Sequence, residues 1–92
     1  MGLFTFVFEY KGGTYIDQKS GDDVKSALIN WAKDLNTSKI DGFNGAEKTE
    51  LFNELNNPDN ELVSLDGLVN TWCQDVFIGD KMYLINIIQT IS

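Results

Sequence analysis

Leu3-Phe4-Thr5-Phe6-Val7-Phe8-Glu9-Tyr10, running into Lys11-Gly12-Gly13-Thr14, decides the fold. Phe4, Phe6, Phe8 and Tyr10 recur at period two, and a pleated strand puts alternate residues on one face. Aromatic and β-branched residues dominate the run, as they do in half-buried strands. Gly12 and Gly13 supply the positive φ angles of a tight hairpin, and Thr14 to Lys19 returns as a second strand through Tyr15 and Ile16.

Beyond this hairpin the period changes. Ser20-Gly21-Asp22-Asp23 opens a helix, with Ser20 or Asp22 as its N-cap and acids in the first turn, where the helix dipole favours them. Val24, Ala27, Leu28, Trp31 and Leu35 then form one apolar stripe, while Lys25, Lys33 and Asp34 point to water. Asn36 to Asn44 reads as a loop that tucks Ile40 and Phe43 into the core. Asn44 and Glu47 have the spacing of a capping box for a second helix through Leu51, Phe52 and Leu55, which Asn56-Asn57-Pro58 ends. Glu50 and Glu54 are like charges at i,i+4 on that helix, a mildly destabilising pair. Leu62 to Leu65 reads as a short strand. Leu68 to Ile78, the Gly79-Asp80 turn and Lys81 to Ile91 make a second hairpin.

Hairpin, two helices, hairpin, with no long parallel crossover, predicts an α+β domain over residues 1–92. Its antiparallel sheet has four to five strands, with the helices packed on one face. The other face of such a sheet is ordinarily polar. Here Leu3 and Val7 oppose the phenylalanines of the first strand, and Leu84 and Ile88 oppose Tyr83, Ile85, Ile87 and Ile91 of the last. Leu3, Val7, Leu84 and Ile88 are therefore candidates for a second buried or contact face, with a homodimer as one of its readings.

Charge is equally uneven. The chain carries −7, and Glu50, Glu54, Asp59, Glu61, Asp66, Asp75 and Asp80 fall in a stretch with no basic residue between Lys48 and Lys81. Lysines and acids balance elsewhere. A field of this sign repels nucleic acid and anionic lipid and attracts basic protein surfaces.

Ninety-two residues, 42% of them apolar and 12% aromatic, suffice for one core without disulfides. The single cysteine, Cys73, suits a reducing compartment. The N-terminal stretch has no basic n-region, and no apolar run approaches the ~20 residues of a membrane span. Gly2 lacks the Ser or Thr at position six that myristoylation wants, and Asn36-Thr37-Ser38 is an incidental sequon in a chain read as cytoplasmic.

Chemistry-bearing motifs fail on inspection. There is no histidine and no arginine, which removes the usual acid–base group, the commonest zinc ligand and the bidentate phosphate clamp. Asn57-x-Asp59-x-Glu61 has the alternating oxygens of a calcium loop, but Leu62 and Leu68 stand where its glycine and glutamate belong. Gly42 to Thr49 ends in Lys-Thr without the glycine spacing of a phosphate loop, and Gly12-Gly13 precedes a strand. Cys73 has no nearby base, and Asp75 opposes its ionisation, so it reads as a small structural residue. Glycosidase-type work by Asp66, Asp75 and Asp80 would need a cleft. No metal or other cofactor is expected.

Trp31 belongs to the core stripe. Trp72, between Asn70 and Gln74, can face either way, since period two does not say which face is inward. An exposed tryptophan among carboxylates has the composition of a binding hot spot.

Phe6-Val7-Phe8-Glu9-Tyr10-Lys11-Gly12-Gly13-Thr14-Tyr15, Trp72-Cys73 and Leu84-Ile85-Asn86-Ile87-Ile88 together resemble a group of small bacterial α+β proteins without assigned activity. In size, acidity and layout the chain is also similar to toxin-immunity proteins. That likeness implies an acidic face docking on the basic active site of a nuclease-type toxin. The expectation is a non-enzymatic interaction module in which Glu54, Glu61, Asp66 and Asp75 steer a basic partner and Trp72 anchors it. The alternatives are a small-molecule or metal-sensing domain with a cavity between helices and sheet, a structural homodimer, or an enzyme whose cleft a dimer completes.

Overall fold

The computed structural model describes residues 2–91; Met1 and Ser92 lie outside the described residues. Strands β1 (Gly2–Tyr10) and β2 (Gly13–Gly21) form the first hairpin. Helices α1 (Val24–Lys33) and α2 (Gly45–Asn56) follow, then β3 (Val63–Ser64), β4 (Thr71–Ile78) and β5 (Lys81–Ile91). The chain is α+β: a five-stranded antiparallel sheet in the order β2-β1-β5-β4-β3, with both helices packed against it. The first and last strands, β1 and β5, lie side by side in the middle of the sheet, and both carry apolar residues on both faces.

Register fixes the two faces. Phe6 pairs with Ile87 and Phe8 with Ile85, while across the next ladder Ile87 pairs with Trp72 and Ile85 with Gln74. These side chains, with Phe4, Tyr10, Val76 and Ile78, make the inner face under the helices. Trp31 of α1 stacks on Phe6 at 5.3 Å and meets Phe8 edge-on at 5.5 Å. Phe43, brought in by the loop as expected along with Ile40, sits edge-on to Phe8 and Tyr10. The space between helices and sheet is filled by these rings.

Local signals were met with small shifts. Lys11 (φ 48°) and Gly12 (φ 82°) are the two hairpin residues, and Gly13 already pairs with Tyr10, so the positive angles fall one residue earlier than the double glycine suggests. Two consecutive positive φ values define the turn whose twist matches its strands. The N-cap of α1 is Asp23 rather than Ser20 or Asp22, its carboxylate accepting from the Ser26 N–H at 2.8 Å. Strand β2 runs on to Gly21, which pairs with Gly2, and α1 comes so close there that a methyl group on Gly21 would lie 2.5 Å from the Ala27 nitrogen. The Asn44–Glu47 capping box of α2 is present.

Two lysines clamp the helices together. Lys25, near the start of α1, donates to the Leu55 carbonyl near the end of α2 at 2.5 Å. Lys48, near the start of α2, donates to the carbonyls of Lys33 and Leu35 at 2.9 and 3.0 Å. Orphan carbonyls at helix ends are thus met by cations, which the dipole also favours. Each contact joins the start of one helix to the end of the other, as two antiparallel helices require. No helix among the described residues is long and apolar enough to cross a membrane.

One face assignment changes. A register shift between Leu3 and Phe4 gives β5 an extra residue, so Ile91 pairs with Leu3 and leaves the side of Ile85 and Ile87.

Candidate functional site at the acidic sheet edge

Strand β4 outruns its outer neighbour. β3 pairs only with Trp72 and Cys73, leaving the lower half of β4 as an edge with backbone groups to satisfy. Side chains take over where β3 stops. Asn60 Nδ2 donates to the Asp75 carbonyl at 3.0 Å, Glu54 Oε1 accepts from the Phe77 N–H at 2.6 Å, and Glu50 Oε2 accepts from the Gly79 N–H at 2.8 Å. Residues four apart on a helix rise about 6 Å, and residues two apart on a strand about 6.7 Å, so the two glutamates match the two amides. The like-charge pair at i,i+4 is therefore a strap across a sheet edge, and its repulsion is offset by two charge-assisted hydrogen bonds.

Beside this strap lies a shallow depression of about 380 Å³ lined by Asn57, Asp59, Asn60 and Glu61 with Glu54, Asp75 and Phe77. No lysine lines it. The only ion pair among the described residues joins Lys19 to Asp34 at the other edge of the sheet, so no ion pair neutralises Asp59, Glu61 or Asp75. Phe77 is 55% exposed, the one aromatic side chain among the exposed large apolar residues. It faces outward because Val76 and Ile78, its neighbours in a period of two, face in.

Of the residues expected to form a site, Glu54, Glu61 and Asp75 do come together here. Asp66 does not; it is exposed in the turn before β4 and lines no part of the depression. Trp72 stands on the inner face, half-buried and 6.0 Å from the Phe4 ring, so it is a core-margin residue and not an anchor among carboxylates. Glu54 is committed to the strand amide. Alanine at Glu54 should cost about 1–2 kcal/mol, whereas alanine at exposed Glu61 should change stability by less than about 0.5 kcal/mol. Urea midpoints of the two variants separate the structural carboxylate from the free one. Equal values would dissolve the distinction.

No family model matches the chain, and no curated protein or solved structure is detectably similar to it. Burial, and secondly the charge of Asp75, push the Cys73 thiol up from its ordinary value, which makes it a poor nucleophile at neutral pH. Among the described residues no three Cys, Asp or Glu side chains are grouped so as to hold a metal ion. A second recess of about 430 Å³ opens between β2 and the end of α1, lined by Tyr15, Trp31, Asp34, Leu35, Lys39 and Ile40 among others.

Proposed function

We propose that the chain is a non-catalytic interaction module that docks a basic protein surface at the acidic edge of its sheet. Phe77 carries the reading: an exposed aromatic side chain beside Asp75, over a depression with carboxylates and no lysine. Few residues supply most of the energy of a protein interface, and they are large side chains ringed by polar ones. Asp59, Glu61 and Asp75 steer the encounter, since unpaired carboxylates raise association rates with a cationic partner. A protein whose own site is lined by lysine and arginine, as in a nuclease-type toxin, has the matching chemistry.

The test is capture of partners from the native host's lysate on wild-type and Phe77→Ala baits. A partner held at low salt should be released by about 0.5 M salt, as screened charge pairs require. Its affinity for Phe77→Ala should fall at least about thirtyfold, the mark of a hot-spot residue. The melting temperature should stay within a few degrees, because Phe77 is largely exposed. A partner that binds both baits equally, or that salt does not release, contradicts the reading.

A further inference from the structure

The outer face of the sheet is the largest feature that the acidic edge does not explain. Every strand residue among the exposed large apolar side chains stands on it; the remaining two, Leu68 and Val69, lie in the loop before β4. One row of cross-strand partners, Ile16, Val7, Asn86, Cys73 and Val63, spans all five strands without a charge. Met82, opposite Phe77, and Leu84, opposite Asp75, extend the apolar surface along β5. Glu9 and Asp75 are the only charged strand residues on this face. A molecule of net charge −7 has thus kept nearly all its charge away from its broadest flat surface.

We propose that this face binds a second copy of the chain, the two sheets packing face to face about a twofold axis. Area supports it. The four long strands have eight to eleven residues. At about 4.8 Å between strands and about 3.3 Å per residue they cover roughly 500 Å², or roughly 1,000 Å² for two copies before side-chain relief. Specific interfaces begin near that size. Composition supports a second copy over another partner. An uncharged apolar centre is what homodimer interfaces bury, and a basic partner would find its countercharges only at the margin. Twisted sheets stack about 10 Å apart by interdigitating such side chains. Phe77 and Asp75 stand at the rim of this face, so a second copy and the basic partner meet there, whereas Asp59 and Glu61 line the depression off the sheet face.

Sedimentation equilibrium of the full chain at about 0.02 M and about 0.5 M salt tests this. The expected mass is twice 10.3 kDa. The dimer should tighten as salt rises, because the copies repel each other at low ionic strength and the face contributes no ion pairs. Ile88→Lys should weaken it at least about tenfold by burying an unpaired ammonium. Ile16→Lys, at a site 66% exposed on an edge strand, should do the same without disturbing the fold and carries the test if the first variant fails to fold. Each lysine lowers the net negative charge, so lost association cannot come from added repulsion. A monomer at every concentration, a dimer that salt dissociates, or folded lysine variants that dimerise like the wild type would each overturn the proposal.

Discussion

Trp31→Ala is expected to destabilise the protein by about 3–5 kcal/mol, the range for removing a buried large aromatic. A chain of this length has about 5–14 kcal/mol in all, so the loss is a large share of it. Trp31 is 2% exposed and is the ring through which α1 meets the sheet, stacked on Phe6 and edge-on to Phe8. Its removal opens a void bounded by a helix and two adjacent phenylalanines of one strand, which cannot collapse without tilting α1. Circular dichroism during urea unfolding reads the change without relying on tryptophan emission. Trp72→Ala provides the contrast. Trp72 is half-buried at the sheet margin with a single aromatic partner, and should cost about 1–2 kcal/mol. Equal costs would mean that Trp72 belongs to the core as fully as Trp31.

Gln74→Glu should cost about as much as losing Trp31, for an electrostatic reason. Gln74 is fully buried on the inner face, and its amide donates to Asn60 Oδ1 at 2.8 Å and to the Asp75 carbonyl at 3.0 Å. Its oxygen has no partner. A carboxylate in this position turns both hydrogen bonds into repulsions between acceptors and buries an unpaired charge, which costs about 3–5 kcal/mol. The sign with pH follows. Burial raises the folded pKa of the new carboxyl above its unfolded value of about 4.3, so the penalty grows as pH rises above that value and fades below it. The variant's deficit in urea midpoint relative to the wild type should therefore be larger at about pH 7 than at about pH 4. Gln74→Met, which removes the orphan oxygen along with the donors, should be far milder. A Gln74→Glu protein as stable as Gln74→Met at neutral pH would place this side chain in contact with water.

Much of this architecture was legible because it is local. The alternation from Phe4 to Tyr10, the stripe from Val24 to Leu35 and the Asn44–Glu47 box each reflect a backbone period or a cap acting over a few residues. What needed the structure was non-local. Trp72 and Phe77 lie five residues apart on one strand, and period two says they face opposite ways without saying which faces in. Only the pairing of β4 with β5 decides that, by setting Gln74 and Val76 beside Ile85 and Tyr83. Glu50 and Glu54 carried a detectable oddity, like charges one helical turn apart. Its resolution is a strand edge more than twenty residues further along the chain. The two-faced apolar pattern of Leu3, Val7, Leu84 and Ile88 was visible from the start, and its position on the outer face of central strands is what makes a second copy a fitting cover.

On the proposed function, the edge formed by Asp59, Glu61, Asp75 and Phe77 receives a basic protein. The most direct measurement is a map of backbone amide chemical shifts as a salt-released partner from the host lysate is titrated into isotope-labelled protein. Shifts concentrated at residues 59–61 and 75–78 are the expected result. Shifts centred instead on the recess of Tyr15, Trp31 and Ile40 would contradict it and move the functional surface to the other edge of the sheet.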